Sequence, residues 1–434
     1  MRRIVPLFLM LVVLISCKEN AIIESIDADS VKRTAQSSQP NILLIISDDM
    51  GVDATPGYTI GNTKPNMPNL QSMIANGVRF TNMWSTPTCT PTRASILTGK
   101  YGSRTGVMRV GDVLSTSETS LQSYLDNQNS GYSSAVIGKW HLARSARHPG
   151  RMGVSHYAGL LKGGVQSYWD WTLTENGSQS TSNEYITSKF TDLAIDWVQQ
   201  QNQPWFLWLA YTAPHTPYHL PPSNLHYQGS LPSNQSSINA NPTPYYMAAI
   251  EAMDTEIGRL LNSMSQTERD NTVIIFVGDN GTPKKVSQGY PNGTKGSLYQ
   301  GGINVPMVVS GKNVNRFNET DNALLTTTDL FSTIANIAGV NVSQINDSYN
   351  FADLLQTSGA GPRNYAFTEY REKNGSTEYT IRNSTHKYIS FSNGSEALFD
   401  LQNDAFEQNN LLNAPLSTND QQQLNALKAA ANNI

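Results

Sequence analysis

Asn41-Ile42-Leu43-Leu44-Ile45-Ile46-Ser47-Asp48-Asp49 decides the architecture of this chain. Its aliphatic run is unbroken, with no polar residue at every second position. That is the pattern of a strand buried on both faces, as in a parallel sheet covered by helices. The run stops abruptly at a serine and two aspartates. Three more stretches repeat this layout. Residues 133–137 lead into Gly138-Lys139-Trp140-His141, Trp205–Ala210 into Ala213-Pro214-His215, and 272–277 into Gly278-Asp279-Asn280-Gly281. Helical spacing is expected between them, over 68–76 (closed by Gly77), 119–127, 184–201 and 245–264. A further run, Val305-Pro306-Met307-Val308-Val309, predicts an edge strand, because proline cannot donate to a ladder. Strands alternating with amphipathic helices predict an α/β sandwich with a largely parallel sheet. Ligands of open α/β sheets bind at the carboxyl ends of the strands. The polar groups that end these four runs therefore converge on one edge.

Beyond about residue 312 the texture changes. A helix is expected over 321–338, and short alternating segments with Asn/Gly turns over 364–401 predict a small antiparallel sheet. A last helix is expected over 421–431. The organisation read from this pattern is a large α/β domain over 40–315 and a smaller C-terminal α+β subdomain over 316–434.

The N-terminus has a different texture. Arg2 and Arg3 precede an apolar stretch over 4–15 that is too short to span a bilayer. Leu14-Ile15-Ser16-Cys17 resembles the lipobox of bacterial lipoproteins, which implies a signal peptide over 1–17, lipidation of Cys17, and a protein exported and lipid-anchored in the cell envelope. Residues 18–39 are polar and aperiodic and read as a tether. The chain has 434 residues, a formal net charge of −4 and no basic run, which excludes nucleic acid as a partner. It has two cysteines. If Cys17 carries lipid, Cys89 has no disulfide partner, and a lone thiol in an exported protein calls for a purpose.

Cys89 opens Cys-Thr-Pro-Thr-Arg-Ala-Ser-Ile-Leu-Thr-Gly-Lys-Tyr-Gly, ending at Gly102. Pro91 suits the first turn of a helix, which places Cys89 just ahead of the helix N-terminus and Arg93 about one turn in. Both features are expected to favour negative charge beside the sulfur. Asp48, Asp49, Asp279 and Asn280 offer only oxygen ligands, the preference of Ca²⁺ or Mg²⁺, and no His/Cys cluster has zinc spacing. Lys139, His141, His215 and Lys295 around such a cation suit an anionic, tetrahedral substrate.

Together these blocks resemble the type I sulfatases, in order and rough spacing, over about residues 40–412. The carrying motifs are Asp48-Asp49, Cys89-Thr-Pro-Thr-Arg93, Gly138-Lys139-Trp140-His141-Leu142, Pro214-His215, Asp279-Asn280-Gly281, Lys295 through Gly302, and Ala397 through Leu401 with Asn409-Asn410-Leu411. The resemblance implies an alkaline-phosphatase-like α/β/α sandwich. It implies that a maturation enzyme oxidises Cys89 to formylglycine, whose hydrate attacks sulfur with one hydroxyl and expels sulfate with the other. It also implies that Asp48, Asp49, Asp279 and Asn280 hold Ca²⁺, with Mg²⁺ as the alternative, and that Arg93 and Lys139 stabilise the hydrate. His141 is then the base for sulfate release, and His215 with Lys295 protonates the leaving alcohol. Thr92, Ala143 and Gly278 depart from the commoner family residues without removing a functional side chain.

For the leaving group, Arg144 and Arg147 and the aromatic Trp169, with His219 just beyond His215, are the expected substrate contacts, suited to a sulfated carbohydrate by charge pairing and ring stacking. Two other readings stay open here: a phosphonate or phosphate ester hydrolase of the same superfamily, and a non-catalytic glycan-binding lipoprotein.

Overall fold

The computed structural model describes residues 39–434. The expected leader over 1–17, Cys17 and all but the last residue of the tether lie outside the described residues. Gln39 already belongs to the fold, since its side-chain amide donates to the Ala338 carbonyl at 3.1 Å.

The elements that place the site are, in chain order, β1 (Asn41–Ser47), α1 (Pro68–Ala75), β2 (Gly77–Trp84), α2 (Cys89–Thr98), β3 (Ser133–Lys139), β4 (His156–Leu160), β5 (Trp171–Glu175), β6 (Ser178–Ser182), α3 (Ile186–Val198), β7 (Trp205–Ala210), α4 (Thr243–Ser263), β8 (Thr272–Gly278), β9 (Asn304–Gly311), β10 (Glu319–Asp321), β11 (Leu325–Thr326), α5 (Asp329–Ile337), β12 (Gln344–Ile345), β13 (Ser348–Tyr349), β14 (Ala366–Arg371), β15 (Thr377–Arg382), β16 (His386–Ser390), β17 (Glu396–Asp400) and α6 (Thr418–Ala431). They build an α/β protein with an alkaline-phosphatase-like fold: an 11-stranded, mostly parallel sheet between helices, and a 4-stranded antiparallel sheet.

The order across the large sheet is β10-β2-β9-β8-β1-β7-β3-β4-β5-β6, with β11 also on β2. From β8 through β1, β7 and β3 to β4 every pairing is parallel. The aliphatic run of β1 is explained by what covers it. Ile42, Leu44 and Ile46 pack into a core with Ile96 and Leu97 of α2 and Phe331 and Ile334 of α5. Leu43 and Ile45 pack into the opposite core with Phe190 of α3 and Met253 and Ile257 of α4. Both faces of the strand are dry, so no polar residue alternates.

Four expectations change. The strand carrying Pro306 is not an edge: β9 lies between β8 and β2. Its proline is tolerated because the β2–β9 register shifts between Phe80 and Met83, interrupting the ladder opposite Pro306. Gly77 does not close α1 in a left-handed turn but opens β2, where a Cβ would lie 2.2 Å from the Val309 carbonyl oxygen. The large sheet also continues past the expected boundary at 315/316. β10 and β11 pair with β2, and Leu330, Phe331 and Ile334 of α5 belong to the main core. The helix expected over 321–338 is correspondingly short, because its first residues are strand. The separate antiparallel sheet starts only at Ala366, with β14 to β17 in simple meander order. No helix among the described residues is long and apolar enough to cross a membrane.

Candidate functional site

The parallel register brings the strand-end groups together. Ser47 pairs with Gly278, Ile46 with Ala210, and Gly138 with Ala210. The hydrogen bonding runs on past the strand ends, from Asp48 N–H to the Ala213 carbonyl at 3.1 Å and from Asp279 N–H to the Ser47 carbonyl at 3.0 Å. Asp49 then turns out of the sheet with φ 71°, and its N–H donates to Asp279 Oδ1 at 3.1 Å. Tyr246 of α4 secures this turn by donating to the Asp49 carbonyl at 2.8 Å. Gly138 has φ 107° and no room for a side chain, because a Cβ would lie 2.0 Å from the Ala210 carbonyl oxygen. This close approach sets where Lys139 and His141 emerge.

Arg93, Lys139, Asp48, Asp279 and Asn280 are fully buried. Arg93 donates to Asp279 Oδ2 from Nε at 3.2 Å and from Nη2 at 2.8 Å, and to the Lys139 carbonyl from Nη1 at 2.7 Å. Lys139 Nζ is bonded to Asp48 Oδ2. Lys295 Nζ lies 2.5 Å from Asp49 Oδ1, and His215 Nε2 lies 3.8 Å from Asp49 Oδ2. Cys89 Sγ is 3.2 Å from His141 Nδ1, and the Thr90 hydroxyl is 3.2 Å from His141 Nε2. All ten expected catalytic and cation-holding residues thus meet at one edge of the sheet.

Two local expectations are reversed. Cys89 is the first residue of α2 rather than the residue before it, and Pro91 still falls in the first turn. The sulfur is also not stabilised as an anion. Burial pushes the Cys89 thiol up to about 11 despite the opposing pull of Lys139, and the Arg93 guanidinium is committed to Asp279. Burial holds His141 down near about 2, helped by the charges of Lys139 and Arg93, so its imidazole is neutral. Burial works to raise Asp48, but Lys139 and then His215 win and hold it below the usual carboxylate range. Burial, followed by the charge of Asp48, pushes Asp279 the other way.

A hard divalent cation fits this donor set. Ligand atoms of Asp48, Asp49 and His215, and likewise of Asp48, Cys89 and Asp279, all lie within 4.8 Å of one another. Asp48 Oδ1 and Asn280 Oδ1 are buried and accept no hydrogen bond from the described residues. Buried oxygens of this kind need a partner, and oxygen-rich surroundings select Ca²⁺ or Mg²⁺.

A cleft of about 860 Å³ opens from His141. Its lining includes Arg144 but not Arg147, Trp169 or His219. Arg147 is exposed, beside Gly177. Trp169 lies against Tyr185 and His219, with ring centroids at 5.0 and 5.5 Å. His219 is a packing residue: it stacks on Tyr168 at 3.7 Å, and its two ring nitrogens meet the Tyr185 hydroxyl and the Pro217 carbonyl, each at 3.0 Å. Sequence reasoning missed Lys162-Gly163-Gly164 in the cleft wall. A Cβ on Gly163 would lie 2.2 Å from His141 Nε2, and one on Gly164 3.1 Å from His215 Cε1. The Gly-Gly pair just after a strand was the available signal.

Comparisons with known proteins agree with this geometry. The family model Sulfatase matches residues 40–340, and the model N-sulphoglucosamine sulphohydrolase, C-terminal, matches residues 294–432. Arylsulfatase G of Mus musculus is 27% identical over 372 residues, covering 72% of this chain and 68% of its own. The uncharacterized sulfatase YdeN of Escherichia coli is 27% identical over 364 residues, covering 70% of this chain and 63% of its own. This chain therefore spans about two thirds of the length of these relatives. The solved structure of BT4656 in complex with its substrate D-glucosamine-2-N,6-O-disulfate aligns with a TM-score of 0.76 at 21% identity, over 90% of this chain and 97% of that one.

Proposed function

The chain belongs to the sulfatase family of enzymes, and from that premise we propose that it hydrolyses sulfate esters of a sulfated carbohydrate, with Cys89 matured to formylglycine and a bound Ca²⁺ or Mg²⁺. The observation that carries the proposal is the position of Cys89. Its sulfur is buried, protonated and 3.2 Å from a neutral histidine, among carboxylates suited to a cation. A protonated thiol is a poor nucleophile, so the position suits a precursor better than a reactive cysteine. Formylglycine would supply a hydrated aldehyde, and the cation would supply Lewis-acid polarisation of a sulfate oxygen.

This chain's own residues would then divide the work. Asp48, Asp49, Asp279 and Asn280 would hold the cation. Arg93 fixes Asp279, and Lys139 fixes Asp48, each by a buried ion pair. His141, 3.2 Å from the sulfur at position 89, is the side chain placed to accept a proton there. His215, whose Nδ1 is tied to the Thr216 carbonyl at 2.8 Å, keeps Nε2 at the mouth of the site, where it would deliver a proton to the leaving alcohol. Lys295 would add positive charge beside it. Arg144 in the cleft wall would meet the sugar. The leader sequence supports export and lipid anchoring through Cys17, which suits a substrate met outside the cell. Maturation of Cys89 would need a formylglycine-generating enzyme as a partner.

The test has two stages. Mass spectrometry of the peptide spanning 89–93 is expected to show formylglycine after co-expression with a maturation enzyme. Sulfate release is then measured on defined sulfated oligosaccharides beside their phosphate analogues, with Cys89→Ala as control. Turnover that survives Cys89→Ala, or a clear preference for phosphate, would overturn the proposal.

A further inference from the structure

Away from the strand-end cluster, the antiparallel sheet carries a buried ion pair of its own. Lys387 on β16 and Glu407, in the loop after β17, are 0% and 1% exposed and meet at 2.5 Å. Neither faces the cleft. Both reach instead into the loop that carries Lys295. Lys387 Nζ donates to the Leu298 carbonyl at 2.7 Å. The Gln300 N–H donates to Glu407 Oε2 at 2.5 Å, and the Asn292 side chain donates to the Glu407 carbonyl. The anchors fall at 292, 298 and 300, on both sides of Lys295. Gln300 is gripped a second time, by Trp84 Nε1–H at 3.0 Å, and Lys387 Nζ sits 5.1 Å from the centre of the Trp84 ring. Glu407 is held at φ 57°, a conformation that costs a non-glycine residue energy and persists where the surroundings enforce it.

We propose that Glu407, together with Lys387, is a positioning residue for Lys295: it fixes the 292–300 loop so that the Lys295 ammonium sits on Asp49. The inference rests on the sulfatase reading for its kinetic consequence but not for its structural one. A buried ion pair is a rigid clamp because breaking either half leaves an unpaired charge out of water. The C-terminal sheet then acts on the reaction through a loop of the catalytic body, although none of its own side chains touches the reacting atoms.

A double-mutant cycle tests this on the full chain. Glu407→Gln is expected to lower kcat for sulfate release about tenfold with KM within about twofold, and to add less than about twofold once Lys295→Ala is already present. An equal loss in both backgrounds would overturn the proposal, because a general structural defect does not depend on Lys295. Hydrogen exchange gives an activity-independent readout. Amides over 292–300 are expected to exchange faster in Glu407→Gln while β1 and β14 to β17 keep their protection; unchanged exchange in that loop overturns the clamp. Should the single variant fail to fold, Lys387→Met with Glu407→Gln removes both charges and runs the same cycle. If the wild type releases no sulfate, the proposed function falls, and the exchange experiment still decides the clamp.

Discussion

Gly163 offers a test of how tightly the site is built. Its φ is ordinary for any residue, so alanine faces no backbone penalty there. Its difficulty is room: the new Cβ would lie 2.2 Å from His141 Nε2, 2.3 Å from Cε1 and 2.8 Å from Cδ2. Ordinary van der Waals contact begins at 3.4 Å, so the two groups must part by about 1.2 Å. The loop cannot simply lift away, because the Leu161 carbonyl accepts from the His141 N–H at 3.1 Å. The ring must therefore turn from Cys89 and Thr90. A misplacement of about 1 Å in a catalytic group costs on the order of 10²-fold. Gly163→Ala is accordingly expected to lower kcat about 100-fold, while overpacking costs about 1–3 kcal/mol of stability. Gly164→Ala meets His215 Cε1 at 3.1 Å and needs only a few tenths of an ångström; a loss of a few-fold is expected. Gly150→Ala, with nothing within 4 Å, is the neutral control. The assay is sulfate release under saturating substrate, with thermal unfolding in parallel. If Gly163→Ala keeps kcat within about threefold of Gly150→Ala, the positioning argument for His141 fails.

Three further outcomes are expected. Chelation of divalent cations should lower the melting temperature, since a cation bound at about 100 times its dissociation constant contributes about 2.7 kcal/mol; Asp279→Asn should abolish that response, and an unchanged melting temperature in the wild type would remove the cation site. Burial lowers His219 from its ordinary 6.5 to about 4, so the folded state binds fewer protons than the unfolded chain and stability falls as pH drops from about 6.5 to about 4, by about 3 kcal/mol in total. Denaturant titrations of His219→Gln should show a smaller acid loss than the wild type by about that amount, and identical pH profiles would refute it. Arg144→Ala should raise KM for a sugar carrying an additional anionic group about fivefold while leaving kcat unchanged, the mark of an interaction made equally in ground and transition states; a fall in kcat with constant KM would place Arg144 in the chemistry instead.

Local composition carried much of this protein. An aliphatic run covered on both faces has to be a strand, and a polar pair at its carboxyl end has to lie at the sheet edge. Asp48, Asp49, Lys139, His141, His215, Asp279 and Asn280 were legible for that reason, and Cys89, Arg93 and Lys295 through the motifs around them. Other features depend on contacts remote in the chain, which periodicity does not encode. Pro306 reads as an edge residue until a register shift in β2 is found opposite it. His219 reads as a substrate contact until Tyr168 and Tyr185 close over it. The Cys89 thiol reads as activated until Arg93 turns to Asp279, 186 positions away, and burial raises its pKa. Glu407 and Lys387 carry no motif, and only the packing of the antiparallel sheet against the Lys295 loop gives them a role. The sequence by itself determined the long aliphatic strands and the polar residues at their ends, because each follows from a few adjacent residues; β2, β4 to β6, β10 and β11 carry no such run and are strands only through their pairings across the sheet. The tertiary structure alone decided which charges are paired, which histidine is neutral and which loop is clamped, because those depend on burial and distance across the whole fold.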